Sequence, residues 1–125
     1  MPSIDAVLEK ARRRLSRLTA EQAAAELGHG ALLVDTRTSD QRAKDGQIAG
    51  ALVIHRTVIE WRLDPTSRSH IPEATDHDIR VIVICAEGYS SSLAAASLQD
   101  MGLVNATDVI GGFEAWKAAG LPVKS

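Results

Sequence analysis

Four consecutive β-branched residues, Val81-Ile82-Val83-Ile84, run without a polar interruption into the chain's one cysteine, Cys85. A strand with one face in water alternates apolar and polar side chains, so an unbroken run belongs to a strand covered on both faces. Such a strand needs helices above and below it, and 125 residues can supply them as one compact domain. Ala31-Leu32-Leu33-Val34-Asp35 is a second run of this kind. Ala51-Leu52-Val53-Ile54 and Ala106-Thr107-Asp108-Val109-Ile110 complete four predicted strands, with helical stretches between most of them. Strand and helix in alternation predict an α/β domain with a mainly parallel sheet.

Two helices are predicted ahead of the first strand. Ile4, Val7, Leu8, Ala11, Leu15 and Leu18 recur at helical spacing and make one apolar stripe. The other faces carry Lys10, Arg12, Arg13, Arg14 and Arg17 against only Asp5 and Glu9. Arg13, Arg14 and Arg17 are expected in the last turn, where cations favour the helix dipole. The expectation is a solvated basic face on a helix packed against the domain; an acidic partner or anionic surface is the alternative. Thr19 with Gln22 three residues on predicts a capping box opening a second helix, which runs through Leu27 and closes at Gly28. Pro65, Ser67, Ser69, Pro72, Thr75 and Asp76 punctuate the stretch from Arg62 to Arg80, which reads as a long surface loop.

Composition removes several function classes. Hydrophobic residues make up 45% of the chain and charged residues 24%, which argues against disorder. Fourteen basic against sixteen acidic residues give no global pull towards nucleic acid. No apolar run approaches the roughly eighteen residues of a membrane span, and none is expected. The opening Met-Pro-Ser-Ile-Asp lacks the basic-then-apolar order of a secretory signal. A single cysteine permits no internal disulfide and no cysteine-rich zinc site, so a reducing cytoplasm is the expected compartment. His29, His55, His70 and His77 form no pair at i, i+4 spacing, and neither a metal site nor a cofactor is expected.

The chemistry is expected where the first run ends. Cys85-Ala86-Glu87-Gly88-Tyr89-Ser90 is a short loop between a buried strand and a helix that starts near Ser90 or Ser91, carries Ala94, Leu98 and Met101 inward, and ends at Gly102. In open parallel sheets ligands bind beyond the carboxyl ends of strands, which is where Cys85 sits. A loop curling into a helix N-terminus turns several backbone N–H groups towards its centre, and the dipole adds positive potential. A thiol there loses its proton more readily, and the thiolate is the nucleophile. Gly88 supplies a φ that a side chain forbids. The alternative is a small buried hydrophobe at a strand end.

This loop resembles the active-site loop of rhodanese-type sulfurtransferases. Leu33-Val34-Asp35-Thr36-Arg37 is similar to that family's Asp-x-Arg segment, and Gly46-Gln47-Ile48-Ala49-Gly50-Ala51 to its Gly-His-Ile-x-Gly-Ala turn. Gly111-Gly112-Phe113-Glu114-Ala115-Trp116, followed by Ala119-Gly120-Leu121-Pro122-Val123, resembles its C-terminal signature. The resemblance runs from about Thr19 to Val123. It divides the chain into an N-terminal helical extension, residues 1–18, and a rhodanese-like domain, residues 19–125. It implies a five-stranded, mainly parallel sheet with helices on both faces. It also implies a sulfurtransferase in which Cys85 takes a sulfane sulfur from a thiosulfate-like or persulfide donor. The resulting persulfide then passes to a thiol or cyanide-like acceptor. Candidate substrate-binding residues are Ala86, Glu87, Gly88, Tyr89, Ser90, Asp35, Arg37 and Arg42. Cysteine phosphatases and some arsenate reductases of the same fold use Cys-x5-Arg, but the sixth position after Cys85 is Ser91, so phosphatase activity is not expected.

Several positions depart from the family pattern. Glu87 stands in a loop where many relatives carry basic residues, and its charge opposes a dianionic donor if it faces the pocket. Gln41 occupies the position of a donor-binding arginine, with Arg42 beside it, bound either for the pocket or for a solvated helix face. Asp35 and Arg37 either form a buried pair that fixes the loop, the favoured reading, or contact the donor. Arg56, Trp61 and Arg62 are candidates for the pocket mouth, Trp61 being expected to pack. Ser90 is expected to cap the following helix and donate to the persulfide. Tyr89 is either a pocket wall or an exposed ring, and Phe113 and Trp116 are expected in the core. These departures leave an alternative function: a catalytically weak or inactive rhodanese-like module serving as a sulfur carrier or interaction domain, fed by a protein sulfur donor.

Overall fold

The computed structural model describes residues 2–124. Its strands are β1 (Leu32–Asp35), β2 (Leu52–Val53), β3 (Val81–Ile84) and β4 (Thr107–Asp108), all parallel, in the order β2-β1-β3-β4. The helices are α1 (Ile4–Arg13), α2 (Ala20–Leu27), α3 (Ser39–Asp45), α4 (Ile59–Leu63), α5 (Ser90–Asp100) and α6 (Gly112–Ala118). A 3₁₀ turn, Arg56–Val58, leads into α4.

Every side chain of β3 is buried, and successive ones feed two different cores. Val81 and Val83 join Val34, Leu63 and Leu98 on the face covered by α4 and α5. Ile82 and Ile84 join Leu33, Phe113 and Trp116 on the face covered by α2 and α6. Each such side chain contributes about 1.5–3 kcal/mol on leaving water, so the run that looked unalternating stabilises both faces at once. The carboxyl end of β3 is thereby fixed from above and below, and Cys85 follows directly.

The sheet has four strands where five were expected. In the fifth position Leu18 makes a single parallel bridge to Val109: its N–H donates to the Asp108 carbonyl at 3.1 Å, and its carbonyl accepts from the Ile110 N–H at 2.8 Å. The pairing stops there because the next residue, Thr19, already caps α2. Both reciprocal bonds of the predicted Thr19–Gln22 capping box are present, and Gly28 caps the other end.

α1 opens on a Ser3 side chain that accepts from the Ala6 N–H at 3.0 Å and stops at Arg13, short of the stripe predicted through Leu18. Leu8, Ala11 and Leu15 are buried, while Ile4 and Val7 remain in solvent. The irregular stretch after α4 is present as predicted, pinned to the core by Ile71 and Ala74.

Candidate active site

The loop between β3 and α5 is held by three of its carbonyls from outside and turns two N–H groups onto Cys85 Sγ. The Phe113 N–H takes the Cys85 carbonyl at 2.7 Å, and the Glu114 N–H takes that of Ala86 at 3.1 Å. The Gly88 carbonyl accepts from Arg12 Nη2 at 2.8 Å and from Arg17 Nη2 at 3.0 Å. On the inner side, the N–H groups of Gly88 and Ser91 point at Cys85 Sγ from 3.2 and 3.4 Å. Among the described residues, the N–H groups of Ala86, Glu87, Tyr89 and Ser90 donate to no protein acceptor. Donors without partners around one sulfur make a cradle for negative charge.

Two glycines make this packing sterically possible. Gly88 has φ +87°, and a Cβ there would lie 2.7 Å from the Gly111 nitrogen. A Cβ on Gly112 would lie 2.5 Å from the Cys85 carbonyl oxygen and 2.7 Å from the Gly88 nitrogen. Gly88 and Gly112 therefore let the first turn of α6 press directly on the loop.

Cys85 is only 6% exposed. Burial pushes its thiol up, but hydrogen bonds from the Ser91 and Ser90 side chains and from the Ser91 and Gly88 N–H groups outweigh it, holding the thiol below its ordinary range. Ser91 has one hydroxyl proton, and its Oγ lies 2.8 Å from Asp108 Oδ2. The proton that serves the carboxylate cannot also serve the sulfur, so the backbone N–H groups are the dependable donors.

The cleft over Cys85 has a volume of about 390 Å³ and is lined by Thr36, Thr38, Gln41, Ala86, Glu87, Tyr89 and Ser90, with Arg37 at its base. A larger groove of about 690 Å³ adjoins it on the α3 and α6 side and shares Arg37, Gln41, Ala86 and Glu87. Asp35 and Arg37 form a buried ion pair: Arg37 Nη2 lies 2.8 Å from Asp35 Oδ2 and 2.9 Å from the Gly46 carbonyl. The guanidinium lies over the Phe113 ring, 3.8 Å from its centroid, so this pair ties β1, the Gly46 turn and α6 together. Tyr89 stands at the mouth, 58% exposed, with Arg12 above its ring.

Other predicted residues land elsewhere. Arg42 Nη1 donates to the Arg37 carbonyl, so its side chain neither enters the cleft nor extends freely into solvent. Ser90 does not cap α5: Tyr89 holds the cap position without a side-chain bond, because Ser90 is already the first helical residue. Trp61 is 59% exposed rather than packed, since Ile59 and Leu63 take the inward face of the short α4. Arg56 pairs with Glu60 and Arg62 donates to the Ser69 carbonyl; neither lines the cleft.

Three residues that hold the loop are not among the predicted site residues. Arg12 and Arg17, expected on a solvated face, both turn onto Gly88. Asp108 is fully buried, accepts from Ser91 and Ser92, and pairs with Arg17 at 2.8 Å. A signal was available: a carboxylate inside the apolar strand run Ala106–Ile110 requires a buried cation or several donors.

The rhodanese-like domain family matches residues 19–119, a span that holds β1 to β4, the Cys85 loop and α6. The chain belongs to the rhodanese-like domain family. The thiosulfate sulfurtransferase GlpE of Pseudomonas entomophila is 35% identical over 102 residues, covering 82% of this chain and 84% of that one. GlpE of Actinobacillus succinogenes is 42% identical over 65 residues, which is 52% of this chain and 59% of that one. The structure of a protein of unknown function from Rhodopseudomonas palustris, described as a possible tyrosine phosphatase, superposes with a TM-score of 0.89 at 34% identity. That match covers 99% of this chain and 96% of the other, and so includes α1. The relatives support a rhodanese-type sulfurtransferase. No helix among the described residues is long and apolar enough to cross a membrane.

Proposed function

We propose that this rhodanese-like protein moves a sulfane sulfur through a persulfide on Cys85. The carrying observation is a buried thiol that takes the Gly88 and Ser91 N–H groups, in a loop whose other N–H groups have no protein acceptor. In the first step the Cys85 thiolate attacks the outer sulfur of the donor, an S–S bond forms at Sγ, and the donor leaves with the electron pair of its broken bond to that sulfur. In the second step a thiol or cyanide-like acceptor attacks the terminal sulfur, and the Cys85 thiolate departs with the pair. The negative charge stays on sulfur throughout, so fixed N–H dipoles assist both steps without a general base. Asp35 and Arg37 act by holding β1, the Gly46 turn and α6 in register under the loop. We read residues 1–18 as an extension laid on a rhodanese-like domain of residues 19–125, working in the reducing cytoplasm that a lone reactive thiol suits.

The charges at the mouth favour a donor other than a free dianion. Glu87 is exposed on the loop, the charge of Arg37 is offset by Asp35 even though its buried Nη1 has no partner among the described residues, and Arg42 Nη1 is bound to the Arg37 carbonyl. A persulfide, free or presented by a protein, fits this surface better than thiosulfate, and the chain then serves as a sulfur carrier. Phosphatase chemistry has less support: the loop itself holds no arginine, and Ser91 stands at the sixth position after Cys85.

Intact-protein mass spectrometry after exposure to thiosulfate, mercaptopyruvate or a low-molecular-weight persulfide tests the reading, with Cys85→Ser alongside. The expected result is a reducible gain of one sulfur atom on the native protein alone, largest with the persulfide. Equal gain by Cys85→Ser, or none from any donor including a cysteine desulfurase, sinks it.

A further inference from the structure

We propose that Arg12 and Arg17 are positioning residues for the Cys85 loop, clamping the Gly88 carbonyl so that the adjoining N–H groups stay aimed at sulfur. The inference rests on the reading of Cys85 as the sulfur carrier. Gly88 has no side chain by which it can be held, and without a Cβ it adopts its φ of +87° as readily as other conformations. Its position is set by the main chain: the N–H on Cys85 Sγ at 3.2 Å and the carbonyl under two guanidiniums at 2.8 and 3.0 Å.

The peptide that follows is the second consequence. In a trans peptide the C=O and the next N–H point in opposite directions. Two cations drawing the Gly88 carbonyl outward therefore turn the Tyr89 N–H inward, and that N–H has no protein acceptor. Polarisation by the guanidiniums also makes it a stronger donor. The clamp is itself braced. Arg17 Nε binds Asp108 Oδ1 at 2.8 Å, Arg12 Nε binds Ser92 Oγ at 3.2 Å, and Ser92 donates to Asp108 at 2.7 Å.

The charged groups around the loop decide what the clamp does to the thiolate. Glu87 on the loop and Glu114 at the start of α6 are exposed anions. The Asp35–Arg37 pair at the end of β1 is internally neutral, and Asp108 on β4 offsets one arginine. Lys117 of α6 and Asp40, Lys44 and Asp45 of α3 line the adjoining groove on the opposite side, whereas Arg12 bonds the Gly88 carbonyl itself and has no carboxylate partner among the described residues, so it supplies positive charge directly behind the loop.

The test is the pH dependence of Cys85 alkylation by iodoacetamide, read with urea unfolding, for Arg12→Gln, Arg12→Lys and the double Arg12→Gln/Arg17→Gln. Arg12→Gln keeps the Arg17–Asp108 pair and so remains interpretable if the double variant does not fold. The expected result is an alkylation midpoint moved to higher pH in Arg12→Gln, with the rate near neutral pH falling on the order of tenfold per pH unit moved. Arg12→Lys recovers most of it because the charge remains. A folded Arg12→Gln with the wild-type profile overturns the clamp and leaves these arginines as attachments of α1. The two readings fail separately. A shifted alkylation profile in a protein that no donor can load keeps the clamp and removes the persulfide. Undiminished loading with an unshifted profile does the reverse.

Discussion

The Cys85 loop is held from two sides by opposite means. On the α6 side the anchors are main-chain N–H groups, Phe113 on the Cys85 carbonyl and Glu114 on that of Ala86, brought close by two glycines. On the N-terminal side the anchors are two long side chains, Arg12 and Arg17, reaching the Gly88 carbonyl. The first contact admits no added atom. The second tolerates truncation sterically and fails electrostatically. The difference separates what the fold demands of every residue there from what this chain adds by charge.

Breaking the backbone side should have the largest effect. In Gly112→Ala the new Cβ meets the Cys85 carbonyl at 2.5 Å and the Gly88 nitrogen at 2.7 Å, at a φ of +59° that disfavours any side chain. Overpacking and the left-handed backbone together predict about 3–5 kcal/mol lost in urea unfolding, and loss of sulfur loading in whatever remains folded. A variant of wild-type stability and activity would mean that α6 does not press on the loop. Asp35→Ala comes next. It leaves the Arg37 guanidinium buried without its counter-charge, which predicts about 3 kcal/mol in the same measurement and a loosened Gly46 turn.

These two substitutions also mark what could be read in the sequence. The β1 and β3 runs and the Thr19 cap were legible because each is a local pattern with a local cause, whereas Gly111-Gly112 stood out only through the family resemblance. The Arg37–Asp35 pair was legible because the two residues are neighbours on one strand end. Arg17 and Asp108 are ninety-one positions apart, and their pairing depends on Leu18 forming the last rung beside β4. No periodicity reports that. The fifth strand was over-read for a related reason: of the six residues between α1 and α2, only Leu18 bridges to Val109 before Thr19 caps α2. The cap at Tyr89 was missed because α5 starts one residue early, at Ser90, and Trp61 because Ile59 and Leu63 take the inward face of a short helix that no sequence pattern announced.

A smaller effect joins both sides through the thiol itself. The N–H groups that the two anchors orient favour the thiolate, and Cys85 sits below its ordinary range in the folded chain. An acid whose folded pKa is depressed stabilises the fold above its unfolded pKa, and that contribution is lost as pH falls through the folded value. The stability gap between wild type and Cys85→Ala should therefore widen as pH rises past the folded value and level off above the unfolded value, about 8.5. A gap independent of pH across that window would mean that the cradle does not hold the charge.

The smallest expected effect is the sharpest control on the arginine side. Arg14 follows Arg12 and Arg13 in the same basic stretch but pairs with Asp100, both side chains being largely in water. Exposed pairs of this kind contribute about 0–1 kcal/mol, because solvent screens the attraction and ordering two long side chains costs entropy. Arg14→Ala should therefore lower urea stability by less than about 1 kcal/mol and leave the Cys85 alkylation profile where it was. Only if the profile stays fixed here and moves in Arg12→Gln does position, and not the summed charge of the basic stretch, govern the thiol. A shift of equal size from both would reduce the clamp to a diffuse field, in which any cation on α1 would serve as well.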